Sequence, residues 1–211
     1  MAASWWSQQL RGFLAAGGWL TMLSVSALVV RDRWPQQREW SRKLVHIGTG
    51  PVVLLAWGLG IDRLIAVPAA AAVTLLAALN HRVRVLPAIE DVDRHSYGTI
   101  AYGASITLLF WLWWPEHRAA VAAGVLVMAL GDGLAGLVGP MIPSPSWSVL
   151  GQRRSLVGTA TMALASLAVL MSLALFAGGG GGGGGGAPSA SSIAVITAIA
   201  GKASVTRNSD Q

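Results

Sequence analysis

Apolar residues in this chain fall in long blocks bounded by charged residues or proline, not on one face every third or fourth position. A membrane crossing takes about 20 predominantly apolar residues. By that measure Gly12–Val30, Leu64–Asn80, Tyr97–Trp114, Ala119–Gly139 and Leu156–Ala177 read as spanning helices. Leu44–Gly60 is shorter and reads as one more, second in chain order. Ser192–Gly201 is too short to cross unaided, although it could form a seventh, C-terminal helix. The pattern predicts an all-α, polytopic membrane helix bundle with six spans over residues 1–177. A polyglycine linker (178–190) and a short C-terminal segment (191–211) follow.

Composition agrees: 54% of the 211 residues are hydrophobic and 11% charged. Mean hydropathy is +0.57. A soluble domain carries about twice that charge. The basic residues set an orientation. Arg31, Arg33, Arg38, Arg42, Lys43, Arg82, Arg84, Arg94, Arg153 and Arg154 occupy one set of loops, and only Arg11, Arg63 and Arg118 the alternate set. The positive-inside rule puts the richer set in the cytoplasm and the N-terminus outside. The net charge of +6 then belongs to juxtamembrane loops facing headgroups or a phosphorylated ligand, and nucleic acid is not an expected partner. The absence of cysteine excludes disulfides and thiolate chemistry. The N-terminal block lacks a basic leader and runs into a polybasic stop, the pattern of an uncleaved anchor. Gly178–Gly186 is not a phosphate loop, because no Gly-Lys-Ser/Thr follows it.

Within the fifth span lies one carboxylate, Asp132, in the uncharged run Met128–Val138. An acid in such a run is a functional site by default. Gly131, Gly133 and Gly136 leave the backbone around it bare enough for close approach. It lies about 12 Å from the inward end of its helix at 1.5 Å per residue. Helix N-termini on the same side favour phosphate. The second span opens with Ser41 as a cap, then Arg42, Lys43 and His46; the fourth opens with Arg94 to Thr99; the sixth opens with Gln152, Arg153, Arg154 and Ser155. One acid and three cationic helix starts on one face suit a nucleoside triphosphate with Mg²⁺ on Asp132. Read singly, each has a plainer meaning. Asp132 could pair with a base to fix packing, Arg42, Lys43, Arg153 and Arg154 could be topology anchors, and His46 could be a hydrogen-bonded core residue. Trp57, Trp111, Trp113 and Trp114 read as interface belts. Their shared sidedness favours the site.

The segments Arg42–Ile47, Tyr97-Gly98-Thr99, Gly131–Ala135 and Arg154–Thr159 stand in the order and spacing of the phytol and polyprenol (dolichol) kinases. This region, about residues 40–177, resembles that family, with CTP:phosphatidate cytidylyltransferases as more distant relatives. The resemblance implies a membrane kinase transferring the terminal phosphate of CTP, or another nucleoside triphosphate, to phytol or a similar isoprenoid alcohol drawn from the bilayer. The phytyl phosphate so made feeds tocopherol synthesis, in a plasma or thylakoid membrane. Asp132 matches the acid of the family's Gly-Asp-Gly motif and would hold Mg²⁺. Arg42, Lys43 and His46 match the basic start, Ser155 and Gly158 a Ser-x-x-Gly segment, and Tyr97 and Thr99 the substrate side. Gly131, Gly133, Arg153 and Arg154 complete the expected phosphate-binding set. The chain departs from the pattern at Gly136, often a second aspartate, at Pro140, at Arg154 in place of lysine and at Val157 in place of glutamate. Its last residues suggest a diverged or truncated C-terminus.

The expected chemistry is in-line attack of the alcohol on the terminal phosphate, with Asp132 on the metal and His46 as a proton acceptor. Cytidylyl transfer to phosphatidate would use the same nucleotide site. A transporter or non-catalytic membrane subunit is disfavoured, since a transporter should carry polar groups through the midplane of several helices.

Overall fold

The computed structural model describes residues 2–36, 38–83, 98–149 and 152–179. Eight α-helices fill these segments: α1 (Ala2–Arg33), α2 (Arg38–Thr49), α3 (Val52–Gly58), α4 (Arg63–Val83), α5 (Gly98–Trp113), α6 (Arg118–Leu126), α7 (Gly133–Met141) and α8 (Leu156–Gly179). A π-helical turn, Val127–Asp132, joins α6 to α7 without interruption. Four helical stretches are long and apolar enough to cross a membrane: Ser4–Arg33, Arg63–Asn80, Arg118–Met141 and Leu156–Phe176. The apolar α5 is shorter, at 16 residues. Tyr97, Arg94, the rest of the glycine tract and the 191–211 segment lie outside the described residues.

The α6–π–α7 helix is the centre of the bundle: 44% of its apolar window is buried, against 11% in each of the other three. Helices exposing so much leucine and valine present that surface to lipid. The core lies where α3, α5 and α6 meet, around Val53, Phe110, Trp114, Val121 and Val125. Trp114 corrects the belt reading. It is fully buried, and its indole N–H donates to the Ile61 carbonyl at 2.8 Å. Trp111 and Trp113 remain exposed.

The predicted second span is two helices. Pro51 lacks an N–H and crowds the carbonyl four residues back, so α2 stops at Thr49 and α3 starts afresh at Val52. The break needs repair in an apolar setting. Gly50 N–H donates to Ile47 O at 3.1 Å, and the Gly48 carbonyl accepts the indole N–H of Trp19 in α1 at 2.7 Å. A Trp19→Phe variant keeps the ring and loses that bond. It should unfold more readily in detergent by about 1 kcal/mol, as read by chemical denaturation. Ser41, expected as a cap, is instead buried inside α2, which begins at Arg38.

The structure also adds a hairpin to the all-α expectation. β1 (Ser146–Val149) pairs antiparallel with β2 (Gln152–Ser155), in the register Ser146↔Ser155 and Val149↔Gln152. Gln152, Arg153 and Arg154 therefore do not open the last helix; they form a strand in front of it. Pro143 and Pro145 prevent α7 from continuing into this segment. Ser155 is the true cap: its Oγ accepts the Gly158 N–H at 3.1 Å.

Candidate active site

The seam between α2 and the central helix is built from glycine. A Cβ added at Gly136 would strike the Lys43 ammonium, one at Gly133 would strike Ile47, and one at Gly50 would come within 2.8 Å of Ala129. Lys43, Ile47 and Gly50 thus pass Gly136, Gly133 and Ala129 in turn, so α2 runs antiparallel to α7. Only bare backbone admits so close a crossing. The predicted role of these glycines shifts accordingly. Gly133 and Gly136 are covered by α2, and Gly131 faces Ser166 and Met162 of α8. They bring helices together around Asp132, while Asp132 itself keeps the opening.

At this seam one acid meets two bases. Asp132 Oδ2 lies 3.5 Å from Lys43 Nζ and 3.6 Å from His46 Nε2. Lys43 Nζ also donates to the Asp132 backbone carbonyl at 3.3 Å. His46 Nε2 lies 3.1 Å from the carbonyl of Met128, inside the π turn. Both neighbours of that nitrogen are acceptors, so it carries the proton and donates. The wider turn at Val127–Asp132 belongs to a class of irregularity often found at functional sites. Here it supplies both the Met128 carbonyl and the carboxylate.

Exposure separates the members. The side chains of Lys43 and His46 are 12% and 20% exposed, that of Asp132 47%. The cations are packed behind and the carboxylate stands in front. Both contacts to Oδ2 exceed the 2.7–2.9 Å of a tight charge-assisted hydrogen bond. The acid is oriented without being sealed, which leaves it able to take another cation. Among the described residues no three acids or histidines cluster as a metal-binding set. A single carboxylate beside a lysine fits Mg²⁺ only when phosphate oxygens complete the shell, the usual mode for that ion.

The other expected residues are placed less directly. Arg42 pairs with Glu39 one turn back, at 2.7 Å. Ser155 Oγ reaches the Gly139 carbonyl at 3.4 Å, and Gly158 lies buried against Ala135 and Gly139, so this segment locks α8 onto the end of α7. Alternation along β2 puts Arg153 on the Ser155 side and Arg154 on the other. Both are exposed, and Arg153 Nε donates to Ser146 Oγ at 3.1 Å. Thr99 is half-buried one turn before Tyr102, on the same face of α5.

Two residues that sequence reading passed over join the site. The ring of Tyr102 packs on that of His46, with centroids 4.2 Å apart. Its hydroxyl lies 3.1 Å from Thr49 Oγ1, at the break after α2. The available signal was a tyrosine, one of two in the chain, inside an apolar block.

No family model and no solved structure matches the chain. Over 132 residues, 62% of its length, the chain is 46% identical to a protein named phytol kinase from Synechocystis sp.. The matched stretch spans 57% of that relative. The resemblance to phytol kinases read from the motifs is thereby borne out.

Proposed function

We propose that this chain is a membrane kinase that moves the terminal phosphate of CTP, or another nucleoside triphosphate, onto phytol or a related isoprenoid alcohol. The observation that carries the reading is the half-exposed Asp132 backed by Lys43 and His46, in a chain 46% identical to a phytol kinase over the matched stretch. A half-exposed acid and a largely covered lysine on the seam of a lipid-facing bundle suit a triphosphate from water and an alcohol from the bilayer.

In this reading Lys43 leaves the carboxylate to meet the incoming phosphates, whose negative charge replaces that of Asp132. Mg²⁺, held by Asp132 and phosphate oxygens, would supply further neutralisation of the transferring group. Arg42 joins by exchanging Glu39 for phosphate, and Arg153 approaches from the hairpin. His46, its Nε2 engaged as a donor, orients the carboxylate, and the proton of the attacking alcohol passes to an oxygen of the transferring phosphate as the bond to the departing nucleoside diphosphate breaks. A loose phosphoryl-transfer transition state asks little of a base and much of positioning. The α2–α3 pair and α5 complete six crossings with the four longer helices, and the site faces the cytoplasm with the N-terminus outside.

The test is label position. Membranes containing the chain are supplied with phytol, geranylgeraniol or farnesol, and with CTP, ATP or UTP labelled at the α or γ phosphate. The reading expects γ-label in a lipid monophosphate and α-label left in water. Label from the α position in lipid would instead indicate cytidylyl transfer, and no labelled lipid with any pairing would refute the kinase reading.

A further inference from the structure

The polar cluster at the α2–α3 break has one unused bonding capacity, and hydrogen counting locates it. Thr49 Oγ1 has a single proton, which it donates to the His46 carbonyl at 2.9 Å. Tyr102 donates in its 3.1 Å contact with Thr49 while Thr49 keeps to that carbonyl; when Thr49 turns its proton to the tyrosine, Tyr102 uses its own alternative partner. Its alternative partner, the His46 carbonyl at 3.4 Å, is also an acceptor. Either way the phenolic proton is spent within the cluster. In either arrangement at most one lone pair of the Tyr102 oxygen takes a proton from Thr49, and among the described residues no other donor is seen at that oxygen.

That oxygen sits in an apolar helix beside the imidazole whose far nitrogen lies 3.6 Å from Asp132. Its remaining lone pair can accept one O–H from a ligand arriving from apolar surroundings. We propose that Tyr102, held by Thr49, forms the subsite for the hydroxyl of the acceptor alcohol. The alcohol's O–H donates to Tyr102, which turns an oxygen lone pair toward the phosphate, and its hydrocarbon tail runs out along α5. This inference rests on the kinase reading and adds to it the residue that distinguishes an alcohol from other apolar chains.

The experiment uses the full chain in lipid nanodiscs, with geranylgeraniol as acceptor and its methyl ether, which cannot donate, as competitor. Tyr102→Phe should raise KM for the alcohol about fivefold to tenfold, the worth of one neutral hydrogen bond. KM for the nucleotide should change by less than about twofold, since no phosphate contact is lost. Wild-type protein should prefer alcohol to ether, and Tyr102→Phe should bind both alike. Thr49→Val should move the same values in the same direction, while Thr49→Ser restores them. A residue that merely packs would leave the alcohol-to-ether ratio unchanged, and that result would overturn the proposal while leaving the kinase reading intact. Should wild-type protein phosphorylate no alcohol, the kinase reading fails. Binding of tritiated alcohol against the ether then decides the subsite by the same ratio.

Discussion

Asp132→Asn should lower prenol phosphorylation by about a thousandfold or more, corresponding to about 4 kcal/mol of lost transition-state stabilisation. The amide keeps the size and hydrogen-bonding reach of the acid, so α2 should still pack on α7. What disappears is the negative charge at the open end of the seam, the only carboxylate in contact with Lys43 and His46 among the described residues. Because that side chain is 47% exposed, the fold should survive with little change in thermal stability. The informative pairing is rate against melting temperature in one preparation. A dead enzyme with native stability supports a chemical role, whereas retention of most activity would remove Asp132 from the mechanism.

Lys43→Met should cost about a hundredfold in kcat/KM for the nucleotide, in keeping with the loss of one preorganised positive group at a transferring phosphate. Methionine fills the space over Gly136 but has no charge for the triphosphate. Lys43→Arg should recover only part of the loss. Its planar head is broader than an ammonium, and the ammonium already lies against the Gly136 backbone. KM for the alcohol should hold steady in both variants, since Lys43 meets the acid and not the Tyr102 cluster. Steady-state kinetics with each substrate varied in turn checks this split; a rise confined to the alcohol's KM would assign Lys43 to the wrong substrate.

Much of this arrangement is legible in the sequence. Asp132 announced itself because an acid in an apolar run has few reasons to be there. Topology puts it on the same side as three basic helix starts without choosing among them, and the contacts seen for it are to one of these, at Lys43 and His46. The glycine seam was visible as glycines but not as a seam. Single-residue spacing shows a bare backbone, and only packing shows whether a ligand or a helix fills it. Here Ile47 and Lys43 fill it.

The misreadings share a cause. Gln152–Ser155 looked like a helix start because arginines before an apolar block usually are; hairpin pairing with Ser146–Val149 overrode that local preference. Ser155, expected among the phosphate ligands, makes the bond of a helix cap here, a contact that does not bear on phosphate binding. Trp114 has the composition of a belt residue, yet a carbonyl freed at Ile61 gave its N–H a buried partner. Leu44–Gly60 read as one span because hydropathy averages over Gly50 and Pro51. The same break puts Thr49 beside Tyr102, so the feature least visible in the apolar pattern is the one that shapes the proposed alcohol subsite.

Equilibrium binding of a non-hydrolysable CTP analogue to the purified chain in nanodiscs, with and without Mg²⁺, bears most directly on whether Asp132 and Lys43 form one phosphate-transfer site. Saturable binding is expected that Mg²⁺ strengthens, that Lys43→Met weakens about tenfold or more, and that Asp132→Asn makes indifferent to the metal. Binding that neither substitution alters would place the nucleotide elsewhere and contradict the account.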